Sequence, residues 1–425
     1  MTPPAYPDSV RYLYSLGNEV KTAKLGLDRM RAVTAALGHP ERAFRVVHVA
    51  GTNGKGSTAA MIESSLRVWG ARTGLYTSPH LVGPTERIRI DGVPVAAEEF
   101  ASAFARVHRA AEDLLRDGAI DLHPTYFETV TAMAFVLFRE RGVHWAVVEV
   151  GLGGRLDATN VVTPELAVVT PIDFDHEAYL GNSIESIAAE KAGILKPGVP
   201  AVFACQRPEA QGVLEEAACA AGVRYTSSGD WGIENLDVQA RGSRFTARHW
   251  RKLSIECPLA GEHQVANSVT AVAALDALGA PSAAIELGIR STRWPGRLEY
   301  VRARPDIVLD GAHNPAGARA LAAYIERFRA QRRVWLIYGA MRDKAVSEVA
   351  GILFPLADEV IATAPDQARA VRPELIAELG GHPRLRVAPR LAGALALLQE
   401  CSPEDIVFVT GSLYLVGEAR PLLIE

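Results

Sequence analysis

The stretch Val46-Val47-His48-Val49-Ala50-Gly51-Thr52-Asn53-Gly54-Lys55-Gly56-Ser57 constrains this chain most, because an apolar run leads directly into a glycine-rich turn that holds one lysine. A strand followed by such a turn and then a helix is a cradle for phosphate. Glycines let successive backbone N–H groups converge on an anion, the helix offers its positive N-terminus, and Lys55 adds a point charge that reaches the outer phosphates. A nucleoside triphosphate is the expected ligand. The pattern departs from the ordinary phosphate loop, since Gly56 rather than a hydroxyl residue follows Lys55 and Val49 occupies a position where a glycine is usual.

With 425 residues and 48% hydrophobic content, the chain can bury a large core and is long enough for two domains. Its formal charge of −4, with acids and bases spread throughout, provides no basic stripe for a nucleic-acid backbone, so small-molecule partners are expected. Cys205, Cys219, Cys257 and Cys401 are far apart and lack CxxC spacing, which reads as buried small hydrophobes in a reduced protein, with no metal and no disulfide. The segment Met1–Asp8 lacks the basic and apolar regions of a signal peptide, and no apolar run approaches the length of a membrane span. A cytoplasmic location without membrane contact is expected.

After the cradle, helical patterns alternate with short apolar runs at Ala146–Val150, Leu166–Thr170 and Ala201–Ala204, which read as buried parallel strands of an α/β domain. Glu98–Asp117 has apolar residues at helical spacing and reads as a helix covering a sheet, with no chemistry of its own. From Asp306 the alternation resumes, with strands at Ile307–Leu309, Val334–Tyr338, Glu359–Thr363 and Asp405–Thr410 and a helix at Ala316–Arg329. A second sheet follows from this pattern. Between the halves, Arg293-Trp294-Pro295-Gly296-Arg297 breaks any continuing helix, which places a hinge there and divides the chain into residues 1–294 and 297–425.

Glu149 ends an apolar strand, where open α/β sheets present ligands, and is a candidate to bind Mg²⁺, which prefers hard oxygen donors shared with nucleotide phosphate. Directly after it, Gly151-Leu152-Gly153-Gly154-Arg155-Leu156-Asp157-Ala158-Thr159-Asn160 is glycine-dense and suited to close backbone approach by a ligand. The next strand leads to Asp173-Phe174-Asp175-His176, so a histidine joins Glu149 at the same sheet edge and a shared metal and phosphate site is expected. Lys191 lies on a helical segment, where a surface lysine is the ordinary reading. Thr77-Ser78-Pro79-His80-Leu81 and Glu86-Arg87-Ile88 supply a hydroxyl donor for a metal and an arginine suited to bidentate carboxylate binding.

In this order the pieces resemble the folylpolyglutamate synthases and dihydrofolate synthases, a branch of the Mur ligase superfamily. The resemblance covers nearly the whole chain through Leu25–Asp28, Gly51–Ser57, Thr77–Leu81, Glu86–Ile88, Thr125–Glu128, Glu149–Asn160, Asp175-His176, Glu190–Lys196, Pro295–Arg297, Asp310–Pro315, Asp343-Lys344 and Gly411-Ser412. The off-pattern cradle is itself the family's form. The resemblance implies an α/β fold with an N-terminal phosphate-loop ATPase-like domain built on a mainly parallel sheet, and a smaller Rossmann-like α/β C-terminal glutamate-ligase domain.

It also implies roles. Ser78, Glu149 and His176 match magnesium ligands, and Lys191 matches a lysine carried as an N-carboxylated carbamate, which would give a second Mg²⁺ two hard oxygens in place of a repelling ammonium. Thr52, Asn53, Gly54, Lys55, Gly56, Ser57 and Asn267 match positions that hold ATP, as do Arg297 and Asp310 from beyond the hinge. Thr125, Phe127, Asp157 and Ala158 match a pterin pocket, and Arg87, His313 and Ser412 match positions that grip the incoming glutamate. Two departures stand out: Gly83-Pro84-Thr85 replaces a stretch that more often carries a basic or aromatic residue, and Ala345 follows Lys344 where an acid is usual.

The implied reaction is ATP-dependent ligation of L-glutamate to dihydropteroate, to reduced folates, or to both, by a monomer, through an acyl phosphate that domain closure shields from water. A cell-wall Mur ligase would use the same chemistry. There the cradle follows a separate nucleotide-sugar domain of roughly a hundred residues, whereas Gly51 comes after a short leader. A phosphate-loop switch ATPase would leave Thr125–Glu128 and Asp310–Pro315 without a function.

Overall fold

The computed structural model describes residues 6–16 and 26–424. Met1–Ala5 of the N-terminal segment and Leu25 of the Leu25–Asp28 motif lie outside the described residues. The chain packs as two compact units, both discontinuous in sequence. The first comprises the described residues up to Ile172 with Ile184–Gly232 and Asn267–Ser291, and the second comprises Asp173–Ser183, Ile233–Ala266 and the described residues from Thr292 onward.

The first unit is built on β1 (Arg45–Ala50), β2 (Thr73–Tyr76), β3 (Ile88–Ile90), β4 (Val93–Pro94), β5 (Trp145–Glu149), β6 (Leu166–Val169), β7 (Ala201–Phe203) and β8 (Tyr225–Ser227). These form one sheet in the order β4-β3-β2-β5-β1-β6-β7-β8, parallel except for the antiparallel edge strands β3 and β4. The inner strands are buried on both faces, which explains why they appear in the sequence as unbroken apolar runs. Strand β1 lies between β5 and β6, with Val49 opposite both Glu149 and Val168. That register makes the loops leaving β1, β5 and β6 emerge side by side at the carboxyl edge of the sheet, where open α/β sheets bind ligands.

Two helices build the core beside β2 and β5. Tyr126–Glu140 is apolar almost all round and is correspondingly buried, with Phe135 and Phe138 packed on Tyr76, Ala146 and Val148 in one core. Ala97–Arg116 is amphipathic, turning Phe100, Ala103, Phe104, Val107 and Ala111 into that core and charges outward.

The second unit holds β12 (Glu299–Arg302), β13 (Asp306–Leu309), β14 (Val334–Tyr338), β15 (Glu359–Ala362), β16 (Leu385–Val387) and β17 (Ile406–Thr410), following the hairpin strands β9 (Gly232–Gln239), β10 (Gly242–Arg248) and β11 (Lys252–Cys257). The larger sheet has the order β12-β13-β17-β14-β15-β16, with only β12 antiparallel to its neighbour. The helix Pro315–Phe328 packs Leu321, Tyr324 and Ile325 on Val308, Leu336 and Phe408. The strands at Val334–Tyr338 and Leu166–Val169 fall within a residue of their sequence-based spans. The separate antiparallel sheet β9-β10-β11 has no counterpart in the sequence reading.

One sequence expectation fails: Cys205 and Cys219 are exposed and Cys401 is partly exposed, and only Cys257 is buried. Among the described residues, no helix is long and apolar enough to cross a membrane.

Candidate active site

In the first unit the cradle forms at the carboxyl end of β1. Gly51 has φ +143 and leaves no room for a side chain, since a Cβ there would collide with the Thr170 hydroxyl and lie 2.9 Å from the Thr170 carbonyl oxygen. The N–H groups of Thr52 and Asn53 then donate to the Pro171 carbonyl at 2.9 and 3.2 Å, which ties the turn to the end of β6. Gly54, at φ +82, caps the helix Lys55–Val68, and a Cβ there would overlap the Asn267 side chain. Asn267 is therefore beside the loop. Lys55 arches back over the turn, with Nζ donating to the Thr52 carbonyl at 3.0 Å, while Gly56 and Ser57 form the first turn of the helix, whose N-terminus favours an anion.

Glu149 is 4% exposed at the end of β5, and its Oε2 accepts the backbone N–H of Ser78 at 3.2 Å. Lys191 is not the surface residue that its helical setting suggests. It is 4% exposed at the end of the helix Ile184–Ala192, and Nζ donates to the Gly51 carbonyl at 2.8 Å. The structure thus brings Ser78, Glu149, Lys191, Asn267 and the cradle to one edge of one sheet.

The glycine-dense loop after Glu149 needs a correction. Its close approaches are to the protein itself: Gly151 faces the Phe127 ring, and a Cβ on Gly154 would lie 2.7 Å from the Glu190 carbonyl oxygen. Asp157 folds this loop from within. Its Oδ2 accepts N–H bonds from Gly151 and Leu152 at 3.0 and 2.9 Å, and its Oδ1 accepts from the N–H of Thr159 at 2.9 Å and from the Thr159 hydroxyl. Burial still raises its pKa, although these bonds act in the opposite direction. Ala158 starts the short helical turn that Asp157 caps.

Thr125 caps the helix Tyr126–Glu140, its hydroxyl accepting the Glu128 N–H at 3.3 Å while Glu128 accepts the Thr125 N–H at 2.8 Å and pairs with Arg29. Arg87 is buried, with Nε donating to His80 Nδ1 at 2.9 Å and the guanidinium 4.9 Å from the centre of the Tyr126 ring. Because the guanidinium can only donate, His80 carries its proton on Nε2, 3.3 Å from the Tyr14 hydroxyl. His80 and its hold on Arg87 were not read from the sequence as functional, since nothing in a lone histidine beside a proline marks it.

In the second unit, Asp175 is the centre of a charged cluster. It lies 2.6 Å from Lys344 Nζ, accepts from Asn314 Nδ2 at 3.1 Å and faces His313 Nε2 at 3.7 Å. Burial alone would raise its pKa, but His313, Lys344 and His176 around it hold it far below the usual carboxylate range. His176 adopts a left-handed backbone at φ +54, supported by its own N–H on Asp175 Oδ1 at 2.8 Å, a conformation uncommon outside glycine. Its Nε2 is 3.3 Å from Lys344 Nζ. Asp310 accepts from the N–H groups of Leu298 and Ala312, both at 3.0 Å, and Arg297 bonds the Gly296 carbonyl. His313 Nδ1 donates to Gly311 O at 2.7 Å, and Ser412 caps the helix Leu413–Leu423.

Burial also gives this protein an acid limit. His48 and His80 both have pKa values lowered to about 3, first by burial and then by Lys196 and Arg87 respectively. His48 Nδ1 has no partner that would receive a second proton. Between pH 3 and 6.5 the unfolded chain binds protons that the folded chain refuses, so stability is full above pH 6.5 and falls with pH at roughly 1.4 kcal/mol per pH unit for each histidine. Urea midpoints measured from pH 4 to 7 are expected to show this slope, and His48→Gln is expected to remove one proton's share. An unchanged slope would refute the assignment.

The sequence itself matches known domains. Residues 49–275 match the Mur ligase middle domain and residues 296–413 match the Mur ligase, glutamate ligase domain. The dihydrofolate synthase/folylpolyglutamate synthase of Bacillus subtilis (strain 168) is 35% identical over 432 residues, covering 99% of both chains, and that of Escherichia coli (strain K12) is 34% identical over 99% of this chain and 97% of the relative. Among solved structures, the Mycobacterium tuberculosis folylpolyglutamate synthase complexed with ADP and AMPPCP superposes with a TM-score of 0.92 at 32% identity, covering 98% of this chain and 99% of that one. Escherichia coli FolC in complex with DHPP and ADP superposes with a TM-score of 0.87 at 33% identity, covering 99% and 98%. With both Mur ligase domains in order and full-length relatives on each side, this chain belongs to the dihydrofolate synthase/folylpolyglutamate synthase family of Mur ligases.

Proposed function

We propose that this chain joins L-glutamate to dihydropteroate and to reduced folates at the expense of ATP, releasing ADP and phosphate. The observation that carries the reading is the bond from Lys191 to the Gly51 carbonyl, which puts the end of a buried lysine on the cradle, at the sheet edge where Glu149 lies. The names and nucleotide complexes of the relatives point the same way.

The substrate carboxylate attacks the γ-phosphorus of ATP, giving an acyl phosphate and ADP. The amino group of glutamate then attacks the acyl carbon, a proton leaves the nitrogen and phosphate departs as the amide forms. The loop amides at Thr52–Ser57, with Lys55, would hold the phosphates, and Asn267 would reach the nucleotide beside Gly54. Arg297 and Asp310 are proposed for ATP, Thr125, Phe127, Asp157 and Ala158 for the pterin, and Arg87, His313 and Ser412 for glutamate. Arg87, oriented through His80, is suited to a carboxylate.

Magnesium fits part of this chemistry. Glu149 offers a carboxylate at the sheet edge that holds the cradle and accepts the Ser78 N–H, and the Ser78 hydroxyl and His176 are proposed as further ligands. As an ammonium, Lys191 does not suit a dication, whereas its carbamate does. When bound, the ions offset the negative charge of the phosphates.

We also place the domain boundary at Trp294–Arg297, with residues 1–294 as the ATP-binding Mur-ligase-like domain and residues 297–425 as the glutamate-ligase domain, and the chain acting as a cytoplasmic monomer. The deciding assay supplies ATP and glutamate with dihydropteroate and, separately, with tetrahydrofolate. ADP release is expected with either acid only when glutamate is present. Release without an acid, or with one acid alone, would overturn the reading or its second activity respectively.

A further inference from the structure

The helix Ala97–Arg116 has a feature that its packing in the core does not use. His108 and Glu112 stand four residues apart, on one helix face, and the following loop returns His123 to them. The ligand atoms of the three side chains all lie within 4.8 Å of one another. His108 Nδ1 is 3.3 Å from His123 Nε2, and Glu112 Oε1 is 3.8 Å from the same nitrogen. Two nitrogens at about 2.0–2.1 Å from one tetrahedral zinc are separated by about 3.3–3.4 Å, so the imidazoles already have the spacing of a bound pair.

The His123 ring is also set in the ligating form. His123 Nδ1 is 2.9 Å from the Pro124 carbonyl oxygen, which can only accept, so the proton is on Nδ1 and the Nε2 lone pair faces the cluster. Metal-bound histidines are commonly oriented in this way, through a backbone carbonyl on the other ring nitrogen. His108 is stacked on Phe104 at 5.4 Å and meets the Tyr12 ring edge-on at 4.8 Å. Burial lowers the His108 pKa, His123 lowers it further and Glu112 opposes this.

We propose that His108, Glu112 and His123 bind a divalent transition ion of the zinc class, with water in the fourth position. Two imidazoles and one carboxylate suit zinc and disfavour magnesium or calcium, which seek oxygen donors. The ion would fasten the helix Ala97–Arg116 to the loop that enters Thr125, and so hold the start of the helix Tyr126–Glu140. The site shares no residue with the proposed ligase machinery.

The test is calorimetric titration of the full-length protein with Zn²⁺ in excess Mg²⁺, together with thermal melts and the visible absorption of Co²⁺ as a geometric probe. Wild type is expected to bind one equivalent that His123→Ala loses and that Glu112→Gln binds at least about tenfold more weakly. Zn²⁺ should raise the wild-type melting temperature and leave that of His123→Ala unchanged. Glu112 is half exposed, so Glu112→Gln keeps the test valid even if His123→Ala folds poorly. Isotherms of Glu112→Gln and wild type that superimpose would overturn the proposal, as would a wild-type protein that takes up no Zn²⁺.

Discussion

Replacing Lys191 by alanine is expected to lower the rate of ligation on the order of a thousandfold, the scale seen when a charge-stabilising group is removed from a reacting centre. The side chain is buried and ends on the Gly51 carbonyl, so its removal changes the charge at the cradle without touching the sheet. What alanine cannot reveal is the sign of the missing charge. Lys191→Arg can, because arginine keeps a cation there and is not converted to a carbamate. If the working form is the carbamate, arginine is expected to fail as badly as alanine, and ¹³C-labelled bicarbonate should give a carbamate resonance in wild type that both variants lack. Activity of Lys191→Arg within about tenfold of wild type would assign the role to a cation. Wild-type rates in Lys191→Ala would remove Lys191 from the mechanism.

The sequence exposed the cradle and the inner strands because both follow from local constraints. Gly51 and Gly54 are needed by the turn itself, and β1, β5, β6 and β14 are buried on both faces, which leaves continuous apolar runs. The antiparallel sheet was missed for the complementary reason. Leu253, Ile255 and Cys257 alternate with exposed or partly exposed residues, as do Ser243, Phe245 and Ala247, so these strands are half-buried and show period two rather than runs. That signal was present and weaker.

Partners distant in sequence were beyond reach. Asp175 meets Asn314 and Lys344, and the segment Asp173–Ser183 packs with the second unit although β6, which it follows, belongs to the first. His108 and His123 likewise meet only because a loop turns back.

Gly154→Ala is the second large effect expected, and it tests how Lys191 is held. The loop after Glu149 is latched to the end of the helix Ile184–Ala192: the Arg155 N–H donates to the Glu190 carbonyl at 2.8 Å, and its guanidinium donates to Glu190 Oε1 from Nε and Nη2 at 3.1 and 2.7 Å. Gly154 lies against that latch. A Cβ there would be 2.7 Å from the Glu190 carbonyl oxygen and 3.0 Å from the Lys191 Cα and carbonyl oxygen. These are backbone atoms, so relief requires the helix end or the loop to move, at a cost of about 1–3 kcal/mol. Either movement draws Lys191 away from Gly51, so activity should fall together with the urea midpoint. Gly212→Ala is the control, because Gly212 lies within the helix Pro208–Ala220 with nothing near its Cβ direction, and alanine there should stabilise by up to about 1 kcal/mol. If Gly154→Ala kept both the wild-type midpoint and the wild-type rate, the packing of this loop would not be what positions Lys191, and the cradle would have to hold the lysine by the Gly51 bond alone.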